Sequence, residues 1–135
     1  MTETIIKYIK ELCETPSPTG YTKRAEKYLM EEFKTLGYKP YQTNKGNVIV
    51  PIVEGDKDGL LLSAHVDTLG LMVRSVKSNG RLRVTNLGGY PLSYVEQENV
   101  TIITRDGKEF TGVMRLNNPS VHGSSCLLYT SPSPR

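Results

Sequence analysis

The sequence has no tryptophan, two phenylalanines, two histidines and two cysteines in 135 residues, and no apolar run approaching the ~20 residues that span a bilayer. Each scarcity excludes something. Without a long apolar run no membrane span is expected, and Met1-Thr2-Glu3-Thr4 has neither the basic start nor the apolar core of a secretory signal. One of the two cysteines falls in the last ten residues, so Cys13 stands alone in the body of the chain. A single thiol builds neither an internal disulfide nor a cysteine zinc site. That pattern suits a reducing compartment, most simply the cytoplasm. An excess of one charge is missing too. Seventeen Lys and Arg are interspersed with fourteen Asp and Glu, a net of +3, which marks neither a nucleic-acid patch nor a membrane-binding face.

What is present is ordinary globular material, 37% hydrophobic and 23% charged with eight tyrosines. The length suits one domain, and a chain this size can bury roughly two-thirds of its unfolded surface. The last ten residues differ. Cys126 to Arg135 reads CLLYTSPSPR. The codons TGT CTC TTA TAC ACA TCT CCG AGC CCA CGA encode it and resemble a transposase adapter from sequencing libraries, read in one frame. A genuine Pro/Ser-rich terminus is the alternative. The adapter match is the more specific of the two, so residues 126–135 are expected to be an artefact and the native chain to continue.

Thr2 is placed to cap a helix from Glu3 to about Glu14, with Ile5, Ile6, Ile9 and Leu12 in one apolar stripe. Pro16-Ser17-Pro18-Thr19-Gly20 forces a loop. A second amphipathic helix is expected from about Thr22 to Leu36, with Ala25, Tyr28, Leu29, Phe33 and Leu36 on one face and Gly37 as its stop. Both stripes read as core packing. Tyr38–Thr43 and Val48–Val53 then read as strands around a turn at residues 44–47, with Pro51 marking an edge or irregularity. After a charged turn at residues 54–59, Leu60–His65 is apolar on both faces, as in a central strand covered by helices. The opening is thus ααβββ, the start of an α/β domain. Beyond it Leu69–Val76, Arg81–Leu87, Asn99–Thr104 and Glu109–Arg115 read as four short strands. Ser78-Asn79-Gly80 and Arg105-Asp106-Gly107 are hairpin signals between them. No helix is expected between Leu71 and Ser120, and a small antiparallel barrel or sandwich begins after Gly70.

The chemical signal is His65 with Asp67, in Ala64-His65-Val66-Asp67-Thr68. Period two puts both side chains on one side, at the end of a strand where α/β folds keep their sites. A neutral imidazole suits zinc, and an adjacent carboxylate can fix its tautomer. The spacing alone equally allows a histidine bonded to a backbone carbonyl and an aspartate capping the next turn. A catalytic zinc needs about three protein ligands, so partners must come from elsewhere. His122 reads as a loop residue after Asn117-Asn118-Pro119-Ser120-Val121. Gly88-Gly89 lacks the Lys-Ser/Thr of a phosphate loop. Glu96 and Glu98 read as a solvated connector.

Ser63-Ala64-His65-Val66-Asp67-Thr68-Leu69-Gly70-Leu71-Met72-Val73-Arg74 resembles peptidase family M-forty-two. These are cytosolic dinuclear-metal aminopeptidases, glutamyl and deblocking enzymes among them, some misnamed endoglucanases. Leu12–Gly20, residues 45–50, residues 81–89 and Gly112-Val113-Met114 support the resemblance in family order, so that it covers residues 2–122. The fold implied is the first half of a zinc-exopeptidase-like α/β domain, residues 1–70, followed by part of an inserted antiparallel β-barrel dimerisation domain, residues 71–122. His65 is then a ligand to one of two divalent metal ions, zinc or cobalt, and Asp67 the auxiliary acid beside it. Peptides are the substrates, attacked by metal-activated water with a Glu as base. Homo-oligomers, from dimers to dodecamers, follow from the family, with no nucleic-acid or membrane partner. The base and the remaining ligands belong to a second catalytic half. The chain therefore reads as an N-terminal fragment, inactive by itself, with apolar surface exposed where its cover is missing. The alternatives are a genuine short assembly or binding module without enzymatic activity and a related dinuclear zinc exopeptidase.

Overall fold

Ile5, Ile6, Ile9 and Leu12 repeat at helical spacing with no Gly or Pro between them, and helix α1 runs over Thr2–Glu14. The structure, a computed structural model, describes residues 1–53, 55 and 59–115. Thr2 lies inside α1 and does not cap it. The cap residue is Met1, whose carbonyl accepts from the Ile5 amide at 3.1 Å, and no side chain bonds the first turn. At the other end the Thr15 hydroxyl donates back to the Glu11 carbonyl at 2.7 Å, and Pro16 prevents another turn. Helix α2, Lys23–Thr35, ends on the glycine expected to stop it. Gly37 has φ +88°, its amide donates to Lys34 O, and the Tyr38 amide donates to Phe33 O. This is a Schellman closure, with the rings of Phe33 and Tyr38 meeting edge to face at 6.3 Å. The Tyr28 phenol donates to the Glu11 carboxylate, tying α2 to α1, and burial followed by that carboxylate pushes the phenol above its ordinary pKa.

Glu26 joins α2 to the first hairpin. Thr22 Oγ1 donates to Glu26 Oε1 at 2.6 Å, Lys23 Nζ to Oε2 at 2.9 Å, and the Gln42 amide also to Oε2. The hairpin itself is short. Strands β1 (Tyr41–Gln42) and β2 (Val48–Ile49) pair antiparallel, Tyr41 against Ile49. The longer strands expected over Tyr38–Thr43 and Val48–Val53 do not form. Tyr38 is held by the helix closure, and Pro51 has no amide to continue a ladder.

Two further hairpins fall where the alternating patterns place them. Strand β3, Gly70–Val76, pairs with β4, Leu82–Leu87, with a register shift between Val73 and Ser75. Strand β5, Asn99–Ile103, pairs with β6, Glu109–Val113. All three hairpins turn in the same way. In Thr43–Asn47, Lys77–Arg81 and Thr104–Lys108 the first residue's amide donates to the fifth residue's carbonyl, and the fourth residue's amide donates to the first residue's carbonyl. The fourth residue is glycine each time, Gly46, Gly80 and Gly107, with φ +88°, +78° and +80°. That is a tight turn followed by a left-handed glycine, a geometry other residues adopt only with strain. In the last turn Asp106 accepts from Thr104 and Lys108, which together hold its carboxyl below the usual range.

The chain divides into two units, Met1–Gly89 and Tyr90–Arg135. The first holds both helices and the hairpins β1–β2 and β3–β4; the second holds β5–β6, preceded by a single 3-10 turn at Leu92–Tyr94 where no helical residue is expected. Helices thus combine with three two-stranded antiparallel sheets, and among the described residues no closed barrel forms. Nor does Leu60–His65 enter a ladder. Leu60, Leu61 and Leu62 are each about four-fifths exposed or more, at 88%, 83% and 79%. A central strand needs a neighbour on each side, and among the described residues none pairs with it. The helix stripes are also less covered than expected. Ile5, Ile6, Ile9 and Leu36 are exposed, and Ala25 is the only buried apolar residue among those described. Among the described residues no helix is long and apolar enough to cross a membrane. The readings of Asn117–Val121, His122 and Cys126–Arg135, and most of the turn at residues 54–59, lie outside the described residues.

Candidate functional site

The loop that breaks the chain between the helices is also what holds the His65 segment. Pro16 and Pro18 bar helix on either side of Ser17, which is completely buried. Its hydroxyl donates to the Val66 carbonyl at 2.8 Å, and its carbonyl accepts from the Thr68 amide at 2.9 Å. Pro18 and Thr68 form a parallel bridge. The Tyr21 amide closes on the Pro18 carbonyl at 2.7 Å around Gly20, whose φ is +87°, as the third position of a type II turn requires. Gly70 allows the close approach: a Cβ there would sit 2.5 Å from Pro18 Cβ.

So held, residues 65–67 place two side chains together. His65 Nδ1 lies 3.0 Å from Asp67 Oδ1, which bears out the same-side reading of the alternating pattern. A carboxylate without its proton can only accept, so in this contact Nδ1 is the donor when Asp67 carries its charge. In the neutral ring Nε2 then carries the lone pair, on a side chain that is 86% exposed. Asp67 is 45% exposed, and its other oxygen accepts from Thr19 Oγ1 at 3.2 Å. Among the described residues the partner of Nδ1 is the Asp67 carboxylate. An exposed imidazole with its tautomer set by a carboxylate is a ready metal donor or base.

The two-residue spacing anticipated that His65 and Asp67 meet, but the sequence reading passed over Ser17 and Thr19. Their loop announced only a helix break; nothing local signals that its hydroxyls reach residues 48 and 49 positions later. Glu96 and Glu98 lie in the connector before β5, as read, and Gln97 between them has φ +67°. At Gly88 a Cβ would meet Leu69 Cδ2 at 2.6 Å, so this glycine makes room for packing. Among the described residues no three His, Cys, Asp or Glu side chains gather closely enough to hold a metal ion. Replacing Ser17 by alanine leaves the Val66 carbonyl without its buried donor. The expected cost is about 1–3 kcal/mol. Urea unfolding of the variant checks it, and an unchanged midpoint would mean the carbonyl finds another partner.

Compared with known families, residues 46–125 match the model for M42 glutamyl aminopeptidase. The chain belongs to the M42 family. Aminopeptidase relatives match it over most of its length. YhfE of Bacillus subtilis, provisionally named an aminopeptidase, is 36% identical over 118 residues, 87% of this chain and 34% of that protein. Glutamyl aminopeptidase of Lactococcus lactis is 31% identical over 103 residues, covering 75% of this chain and 29% of the enzyme. Lysyl aminopeptidase of Pyrococcus furiosus is 26% identical over 103 residues, 76% and 30% of the two. The chain therefore spans about a third of the length of these relatives. His65 and Asp67 fall within the stretch matched to the M42 family.

Proposed function

We propose that this M42 chain is the N-terminal part of a metal-dependent aminopeptidase that removes N-terminal residues from peptides. The observation that carries the reading is the His65–Asp67 pair, with Nδ1 3.0 Å from the carboxylate on an exposed ring, inside the family match. The donor chemistry fits a divalent metal, zinc or cobalt, as far as one ligand goes. His65 Nε2 takes one position, and Asp67 orients the ring without itself binding. One ligand is too few for a catalytic centre, so the others, and the acid–base carboxylate, come from the remainder of a longer protein. The domain assignment follows the same reading, with residues 1–70 in the catalytic α/β domain and 71–122 in an inserted β domain that mediates self-association. The compartment is the cytoplasm.

When bound, the metal pair supplies a water acidic enough to attack a peptide carbonyl near neutral pH. Besides the proposed His65 donor, this chain's own contribution is positional. The Ser17 loop fixes the backbone at Val66 and Thr68, and the Asp67 carboxylate holds the imidazole at Nδ1, the nitrogen away from the proposed donor atom.

The test is to express the complete reading frame and follow release of N-terminal residues from short peptides. Chelation is expected to stop the reaction and zinc or cobalt to restore it, while the 135-residue chain alone releases nothing. Hydrolysis that survives full metal removal, or activity in the short chain, overturns the proposal.

A further inference from the structure

We propose that Thr19 is a positioning residue for the histidine, acting through Asp67. The inference rests on the reading of His65 as a metal ligand and goes beyond it by naming a residue in a different part of the chain.

A carboxylate can hold an imidazole only as firmly as it is held itself. Asp67 uses Oδ1 for His65 Nδ1, at 3.0 Å, and accepts the Thr19 hydroxyl on Oδ2, at 3.2 Å. Rotation of the carboxyl group about its terminal bond would break both contacts at once, so the Thr19 bond resists loss of the His65 bond. Thr19 is in turn fixed by the backbone. It occupies the second position of the turn that the Tyr21 amide closes on the Pro18 carbonyl, and Ser17, two residues earlier, is bonded to Val66 and Thr68. The order of support runs from turn to hydroxyl, carboxylate and imidazole. Partners of this outer kind commonly change metal affinity by 10–100-fold when removed. Thr19 is exposed, so its replacement removes the hydroxyl without opening a cavity.

The experiment uses the full-length protein and zinc alone, with the dissociation constant read by competition against a chromophoric chelator. Thr19→Val, which keeps the shape and loses the hydroxyl, is expected to bind zinc roughly tenfold more weakly, with its thermal midpoint unchanged. Thr19→Ser is expected to restore native affinity. If Thr19→Val binds zinc as tightly as the native protein while Asp67→Ala binds weakly, the inference falls and the metal reading stands. If Thr19→Ser is as weak as Thr19→Val, the methyl group and not the hydroxyl matters, and the inference also falls. If His65→Ala binds zinc with native affinity, the reading beneath it falls as well.

Discussion

Replacing His65 by alanine in the full-length protein is expected to abolish peptide hydrolysis, and added metal is expected not to rescue it. On the proposed reading the side chain is the donor, and Asp67 beside it is already engaged by His65 and Thr19. Asp67→Ala should behave differently. It leaves the imidazole in place but frees the ring and its tautomer. Metal affinity is then expected to fall roughly 10–100-fold, about 1.4–2.7 kcal/mol, with much of the activity returning at high metal concentration. Assays across a metal titration separate the two. Full activity in His65→Ala would remove the histidine from the site, and an Asp67→Ala defect that no metal concentration relieves would give Asp67 a direct role in the reaction.

The largest expected effect on stability is at Gly46. Its φ of +88° is strained for any residue with a side chain, and a Cβ would lie 2.8 Å from Glu26 Oε1. Glu26 cannot easily give way, because that oxygen accepts from Thr22 and its partner oxygen from Lys23 and Gln42. Gly46→Ala is therefore expected to cost roughly 2–4 kcal/mol, combining the left-handed backbone with a weakened charged hydrogen bond. The same network gives a pH dependence. The Thr22 hydrogen bond first, then Lys23, hold the Glu26 carboxyl below its ordinary pKa. A lowered folded value means the contribution is present above the unfolded carboxylate pKa of about 4.3 and is lost as pH falls through the folded one. Glu26→Gln should be less stable than the native chain at neutral pH, and the gap should close in acid. Urea unfolding at pH 7 and pH 3 measures it, and a gap independent of pH would exclude the charge as its origin.

Legibility in the sequence followed the range of the interactions. Helices α1 and α2 and the hairpins β3–β4 and β5–β6 were readable because each is specified by spacing within a few residues and by a glycine at a turn. The Schellman glycine, Gly37, was readable for the same reason. Leu60–His65 was not, since an apolar run states what it prefers to be buried against but cannot supply it, and here it makes no ladder. The cap at Thr2 failed because the chain had one more residue, Met1, able to serve. At the site, His65 and Asp67 were visible as a two-residue spacing, whereas Thr19 and Ser17 are joined to them by bonds spanning 48 and 49 positions.

That difference in span has a consequence for the order of assembly. A hairpin closing on a five-residue turn forms in microseconds, and residues 41–49 can do so while later parts of the chain are still being synthesised. The grip of Ser17 on Val66 must close a loop about ten times longer, which costs roughly 2 kcal/mol more in chain entropy. The hairpins are therefore free to form first. The segment carrying His65 is held in this way only once two stretches 49 positions apart have met, a longer closure than any of the hairpins requires.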